Sequence, residues 1–596
     1  MLNAWHLPVA PYLRRHGEAL EVTLWLAGAT LPQHVLLRCE PDNEEWLLAM
    51  SPRQHPPYVV YRARLTLAEG EALRRYCFKL LWADRQCWLT PTGLQSIPPG
   101  QTEQFAVSDP SPYPQWVADR LFYQIFPDRF ARASGQRDEA AQGVRAWDAP
   151  LDESTDGYTR YGGDLDGIIE RLPYLQALGV DALYLNPIFT APSNHKYDTA
   201  DYDHVDACLG GDAALIRLRQ ATHDAGMRLI LDGVFNHTGD SHPWFDRHRQ
   251  GETGACHHPD SPQREYYTFD SAGQALGWKG EASLPKLDYA SPGVVDRIYR
   301  DQDSVVRHWL RPPYAIDGWR LDVVHMLGEG GSARANLTHL AGIYQAVKAE
   351  NPQGYVLGEH FGDARRWLQA GVEDGAMNYM GFALPLRAFL AGIDVAYQPI
   401  QLTAADCAEW MERYRAGLSQ QQQLCQFNQL DSHDTARFLT LLQGNHARMR
   451  LALTWLFTWI GVPCLYYGDE IGLAGGNDPY CRAPFPWETS RWDMTLLTLC
   501  RQLAALRRQY TALRRGGCRV IHADEESLLF IRQWQDEHLL IAIRRTGRAT
   551  LSVPYTPLLP HGTWRLLCGE GKLDAGAQGM ALDLAAESAS LWLLRH

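Results

Sequence analysis

Gly318-Trp319-Arg320-Leu321-Asp322-Val323-Val324-His325 alternates apolar residues with one Arg and one Asp. Such a run reads as a buried strand that releases charged side chains at its carboxyl end. Taken alone, it is also what an ordinary core ion pair looks like. Three further stretches tip the balance: Leu231-Asp232-Gly233-Val234-Phe235-Asn236-His237, Val356-Leu357-Gly358-Glu359-His360 and Phe427-Asn428-Gln429-Leu430-Asp431-Ser432-His433-Asp434. Each ends an apolar run in acids and histidines. Four strands delivering ionisable groups to one rim is how an active site is built on a parallel barrel.

Outward from these runs, strands alternate with helical patterns from Leu121 to about Tyr510. Eight candidate strands can be counted: Leu121 to Phe126, Asp181 to Asn186, Arg228 to Val234, Gly318 to Val323, Tyr355 to Gly358, Ala376 to Tyr379, Gln426 to Leu430 and Val462 to Tyr467. Between them, Ile168, Leu172 and Leu175, or Leu215, Leu218 and Thr222, recur at helical spacing. The expected fold is therefore α/β, a (β/α)8 TIM barrel over residues 116–510. One gap, Asn236 to Ala290, is too long for a crossover and lacks periodicity, so 236–290 is expected as a small domain inserted after the third strand. Residues 1–115 read as an N-terminal β-sandwich, from runs at Glu21 to Leu26, His34 to Arg38, Tyr58 to Leu67, Tyr76 to Trp82 and Gln86 to Thr90. The Pro-rich segment Ser108 to Pro114 reads as a linker. Residues 511–596 return to β-like runs (Leu528 to Trp534, Leu539 to Arg544, Thr563 to Leu567, Ser590 to Leu594) and form a C-terminal β-sandwich.

Composition narrows the function. The 596 residues, 45% hydrophobic and 21% charged, are those of an ordinary soluble protein with several cores. A net charge of -13 argues against nucleic acid or an anionic membrane as partner. A neutral substrate fits better, and 20 Trp and 27 Tyr suit sugar faces, although most belong in cores. Met1 to Tyr12 lacks the basic and apolar segments of a signal peptide, so a cytoplasmic location is expected. Twelve scattered cysteines without CxxC or zinc spacing read as reduced core thiols. Cys256-His257-His258, with no second cluster nearby, reads as a polar loop.

The four charged stretches, in this order, resemble the signature regions of the alpha-amylase family of glycoside hydrolases. Tyr123-Gln124-Ile125-Phe126-Pro127-Asp128-Arg129-Phe130, Tyr161-Gly162-Gly163-Asp164-Leu165 and Asn477-Asp478-Pro479-Tyr480-Cys481-Arg482 extend the resemblance over nearly the whole chain. Leu284-Pro285-Lys286-Leu287-Asp288 resembles the extra stretch of the oligo-maltodextrin branch. The resemblance implies a retaining alpha-glucosidase that takes glucose from maltotriose and longer alpha-1,4 maltodextrins, acting at the reducing end. The alternative is the neopullulanase and cyclomaltodextrinase type, which releases maltose or panose and opens cyclodextrins. A rival of another class is a non-catalytic amylase-fold binding protein, and the presence of all three expected carboxylates argues against it. In the neopullulanase branch the N-terminal module helps form dimers, so a homodimer through that domain is an expectation, beside the equal reading of a stabilising domain.

Retaining hydrolysis needs a nucleophilic carboxylate and a protonated carboxylic acid about 5 Å apart across the anomeric carbon. Asp322 matches the family's nucleophile, and Arg320, two residues earlier on the same strand face, can hold it ionised and oriented. Glu359 ends an apolar run and matches the acid/base. Asp434 matches the third carboxylate, which grips hydroxyls of the distorted sugar. His433 and His237 match histidines that hydrogen-bond the same ring, and Tyr197 matches the aromatic platform beneath it. His195 and Arg320 are further substrate-binding candidates, and Asp232 is expected to orient Arg320. The chain departs from the family at His325, where neopullulanases carry Asn, and at Phe361, where they carry Trp. Both positions face the leaving group, so His325 joins the substrate-binding candidates. Asn236 matches a calcium ligand of many amylases, but Ala131-Arg132-Ala133-Ser134 is poor in oxygen ligands, and neither a metal nor a cofactor is expected.

Overall fold

The computed structural model describes residues 2–66, 73–108, 113–134, 143–251 and 253–595. Its centre is an eight-stranded parallel barrel: β1 (Phe122–Ile125), β2 (Ala182–Leu185), β3 (Arg228–Gly233), β4 (Gly318–Leu321), β5 (Tyr355–Gly358), β6 (Gly375–Ala376), β7 (Phe427–Asn428) and β8 (Val462–Tyr466). They pair in the order 6-5-4-3-2-1-8-7, and a parallel bridge between Met377 and Phe427 closes the ring. Alternation along the strands sorts their side chains. Tyr184, Ile230, Tyr355, Leu357, Met377, Phe427 and Cys464 fill the interior, whereas Leu183, Leu229, Trp319, Val356 and Leu465 pack outward against the helices.

The sequence ranges overrun several ladders, most clearly at β6. Ala376 to Tyr379 was expected as strand, but Asn378 turns away. Its side chain accepts from Gly381 N at 3.1 Å and donates to Asn428 Oδ1 at 2.7 Å, and Tyr379–Ala383 begin a wide helical turn. The turn's capping amide captures the backbone that a longer strand would have needed.

The N-terminal part forms a five-stranded and a six-stranded antiparallel sheet face to face. In Ala19–Ala27 every second residue (Leu20, Val22, Leu24, Leu26) is buried, as a half-covered strand requires. Leu67 and residues 109–112 of the expected linker lie outside the described residues. The C-terminal part carries a five-stranded and a three-stranded antiparallel sheet, beginning at Gly517–Ala523. The twelve cysteines form no disulfide, and among the described residues no helix is long and apolar enough to cross a membrane.

The insertion after β3 adds Phe245, Tyr267, Leu287 and Tyr289 to the core that the barrel shares with its helices. Bridges His237–Lys286, Tyr267–Leu287 and Gly277–Pro285 fold it back on the barrel. Leu284 to Asp288 does the fastening. Lys286 Nζ donates to Ser332 O (2.8 Å), and Asp288 Oδ1 accepts from Gly330 N (2.9 Å), so the insertion is tied to the loop that follows β4.

Candidate active site

Arg320 and Asp322 point the same way from the carboxyl end of β4, and the guanidinium becomes the hub of the rim. Nη1 lies 2.8 Å from Asp322 Oδ1 and 2.8 Å from Asp232 Oδ1, while Nη2 lies 2.9 Å from Glu359 Oε1. Three strands thus deliver one acid each to one cation. Asp232 also accepts from the hydroxyls of Tyr184 (2.7 Å) and Tyr197 (2.9 Å). Glu359 Oε2 accepts the backbone N–H of Val323 at 2.8 Å. Val323 makes that bond from the left-handed region (φ 36°), a strained position for a β-branched residue. The strain aims its amide at the acid.

Burial pushes the Asp322 carboxyl well above the usual range; Arg320 pulls it down, and Glu359 and Asp232 push it up again. Burial also raises Asp232 against the pull of Arg320. Three buried acids around one cation cannot all carry charge cheaply. Retaining chemistry requires one carboxylate to attack and one carboxylic acid to protonate.

Asp434, at the end of β7, is more open, its side chain 30% exposed against 9% for Asp322 and 4% for Glu359. His433 beside it is wholly buried. The amide of Gln124 donates to its Nδ1 (2.8 Å), which leaves the ring proton on Nε2, facing Tyr197 Oη at 2.6 Å and Asp434 Oδ2 at 3.2 Å. Burial, then the nearby Arg482 charge, holds His433 well below its ordinary pKa. Its ring lies parallel to that of Tyr197, centroids 5.5 Å apart. Both nitrogens are occupied, so His433 acts in this geometry by holding Asp434 and Tyr197. Tyr197 offers a ring face, its hydroxyl being spent on Asp232.

His237 is the better-placed sugar donor. Its Nδ1 faces the Asn236 amide at 3.2 Å, its buried Nε2 has no protein partner, and burial lowers its pKa to about 4. A neutral imidazole with one unpaired nitrogen can bind a hydroxyl that reaches it. Trp278 from the insertion lies 6.0 Å from its ring. Lys279, the next residue, is close enough to His325 to lower its pKa, after the larger effect of burial. His325 Nδ1 approaches Glu359 O at 3.3 Å, and Phe361 stacks on Tyr379 at 4.1 Å. His195 Nδ1 accepts from Tyr197 N at 3.1 Å and supports the platform.

One expectation is corrected. Arg320, taken as a substrate-binding residue, is fully buried with its side chain 0% exposed, so it touches carboxylates and no sugar. The contacts above bring the other candidates together at the carboxyl rim of the barrel. Two contributors were missed. Arg482 reaches Asp434 Oδ1 at 3.6 Å and Asp478 Oδ2 at 3.1 Å while its Nε donates to His433 O at 2.9 Å, extending the polar floor outward. Trp278 lies beside His237, and Lys279 brings its charge towards His325. The Asn477-to-Arg482 motif pointed to the first; aperiodic text gave no sign of the second. Among the described residues no group of three His, Cys, Asp or Glu is placed to hold a metal ion.

A parallel barrel whose carboxyl rim gathers buried carboxylates around one arginine fits a glycoside-hydrolase centre. The comparisons agree. The alpha amylase catalytic-domain family matches residues 124–497. A cyclomaltodextrinase of Geobacillus thermopakistaniensis is 37% identical over 487 residues, 79% of this chain and 76% of that one. Neopullulanase 2 of Thermoactinomyces vulgaris is 36% identical over 478 residues, 78% and 76% of the two chains. A solved cyclomaltodextrinase, 27% identical, covers 99% of both chains with a TM-score of 0.73. The chain belongs to the alpha-amylase family and is a glycoside hydrolase.

Proposed function

We propose that the chain hydrolyses alpha-1,4 bonds of maltodextrins and related alpha-glucans with retention, in the manner of cyclomaltodextrinases and neopullulanases. The observation that carries this is Arg320 bridging Asp322 and Glu359. Asp322 attacks the anomeric carbon as the C–O bond breaks, and Glu359 gives its proton to the departing oxygen. Water, deprotonated by Glu359, then attacks the glycosyl ester, returning Asp322 as a carboxylate and the acid as a carboxylic acid. Asp434 and His237 hold hydroxyls of the reacting sugar over the ring of Tyr197. The names of the relatives support the cyclomaltodextrinase or neopullulanase type over release of glucose.

A second reading, release of glucose from the reducing end, is favoured by one observation. Lys279, in the insertion, brings its charge towards His325, where the sugars after the cleaved bond must lie. Maltotetraose labelled at its reducing-end glucose tests both. Labelled maltose as the early product, with ready opening of cyclodextrins, supports the first. Labelled glucose plus unlabelled maltotriose supports the second. The anomer formed first, read by NMR, tests retention; a β product overturns the role of Asp322.

A further inference from the structure

Along β5 and its continuation, side chains alternate: Leu357 packs inside the barrel, and Glu359 points in towards Arg320. Gly358 and His360 therefore face outward, into the layer between strands and helices. There they meet one side chain. Glu373, two residues before β6, is withdrawn from solvent, its side chain 0% exposed. His360 Nε2–H donates to both its oxygens, at 2.9 and 3.0 Å. Its carboxyl also lies against Gly358, where a Cβ would stand 2.3 to 2.5 Å from the three carboxyl atoms. Any other residue at 358 would drive the two apart. Among the described residues Glu373 makes no further hydrogen bond.

From this placement we propose that Glu373 is a positioning residue for Glu359, gripping through Gly358 and His360 the two residues that flank it. This rests on reading Glu359 as the acid/base. A buried carboxylate whose polar partner is one imidazole is poorly repaid as a source of stability. Its position gives it another use. The ring of His360 packs on Trp367 (4.3 Å) and faces His325 (5.8 Å), whose Nδ1 approaches the Glu359 carbonyl. The backbone of Glu359 is thus held on both flanks and at its own carbonyl. The carboxyl itself is aimed by Arg320 and the Val323 amide. Proton delivery to a sugar oxygen depends on that aim, since a misplacement near 1 Å costs about a hundredfold in rate.

A leaving-group comparison separates positioning from general damage. Loss of fluoride from α-maltosyl fluoride needs no proton from Glu359, whereas cleavage of maltotriose does. For Glu373→Gln in the full chain, kcat/KM for maltotriose should fall about 30- to 100-fold while that for the fluoride stays within about threefold. Equal losses on both substrates, or no loss beyond about threefold on either, overturn the proposal. Glu359→Gln is measured in parallel. If it too loses both substrates equally, the acid/base reading of Glu359 fails, which is distinct from failure of Glu373 alone. Should Glu373→Gln not fold, His360→Leu carries the same test with the same outcomes. His360→Gln, whose amide can still donate to Glu373, should then recover most of the maltotriose activity; no recovery counts against the proposal.

Discussion

Replacing Arg320 with Lys keeps the charge but removes the fork, and the geometry says which contact is lost. Asp232 and Asp322 both lie 2.8 Å from Nη1, so a single ammonium at that point serves both. Glu359 lies 2.9 Å from Nη2 and is left without its cation. Losing one charged contact in a buried site costs about 2 to 3 kcal/mol, while Arg320→Met, which strands all three acids, should cost about 3 to 5 kcal/mol. The acid would also lose one of its two side-chain anchors. If about 2.7 kcal/mol of that loss appears in the transition state, kcat/KM for maltotriose falls about a hundredfold. Urea unfolding followed by fluorescence and initial rates on maltotriose measure the two effects. An Arg320→Lys enzyme with an unchanged unfolding midpoint and activity within about fivefold of the parent would refute the single-hub account.

Other outcomes follow from the same geometry. Asp322→Asn removes the nucleophile without changing shape, so turnover should vanish while the fold and maltotriose binding by calorimetry persist. Trp278→Ala removes the insertion's indole beside His237, so any early labelled glucose from reducing-end-labelled maltotetraose should shift towards labelled maltose; an unchanged ratio removes Trp278 from specificity. His242, buried outside the site, has its pKa lowered by burial to about 3. Folded, it stays neutral; unfolded, it takes a proton below about pH 6.5. Its contribution is therefore intact above pH 6.5 and lost as pH falls towards 3, by up to about 1.4 kcal/mol per unit. The parent's stability advantage over His242→Gln should shrink by about 2 to 3 kcal/mol between pH 6.5 and 4.5 in urea unfolding.

What could be read from the chain, and what could not, divides along the range of the interactions. β4 was legible because alternation forces its pattern: Trp319 and Leu321 face the helices, so Arg320 and Asp322 must share the other face. The resemblance supplied roles for Asp322, Glu359 and Asp434, and the barrel brings them to one rim. The hub itself was hidden, because Asp232 and Glu359 reach Arg320 from separate strands 88 and 39 positions away in chain order, and no local pattern encodes that meeting. Arg320 thereby changed from a sugar ligand to the buried centre of the charge.

The same reason conceals the layer behind the rim. Val372-Glu373-Asp374-Gly375 reads as two acids in a turn, yet Asp374 pairs with Lys348 at 2.8 Å and Glu373 with His360 at 2.9 Å. Adjacent acids take different partners because alternation sends them to different surroundings. Trp278 and Lys279 show the limit from the other side. Their identity was plain, but an aperiodic insertion places its tip only through long-range ties such as Lys286 to Ser332 and Asp288 to Gly330. Those ties fasten the insertion to the loop after β4. The proposed product specificity would thus rest on packing between the insertion and the loop after β4, whereas the proposed reaction rests on residues that strand periodicity already brings together.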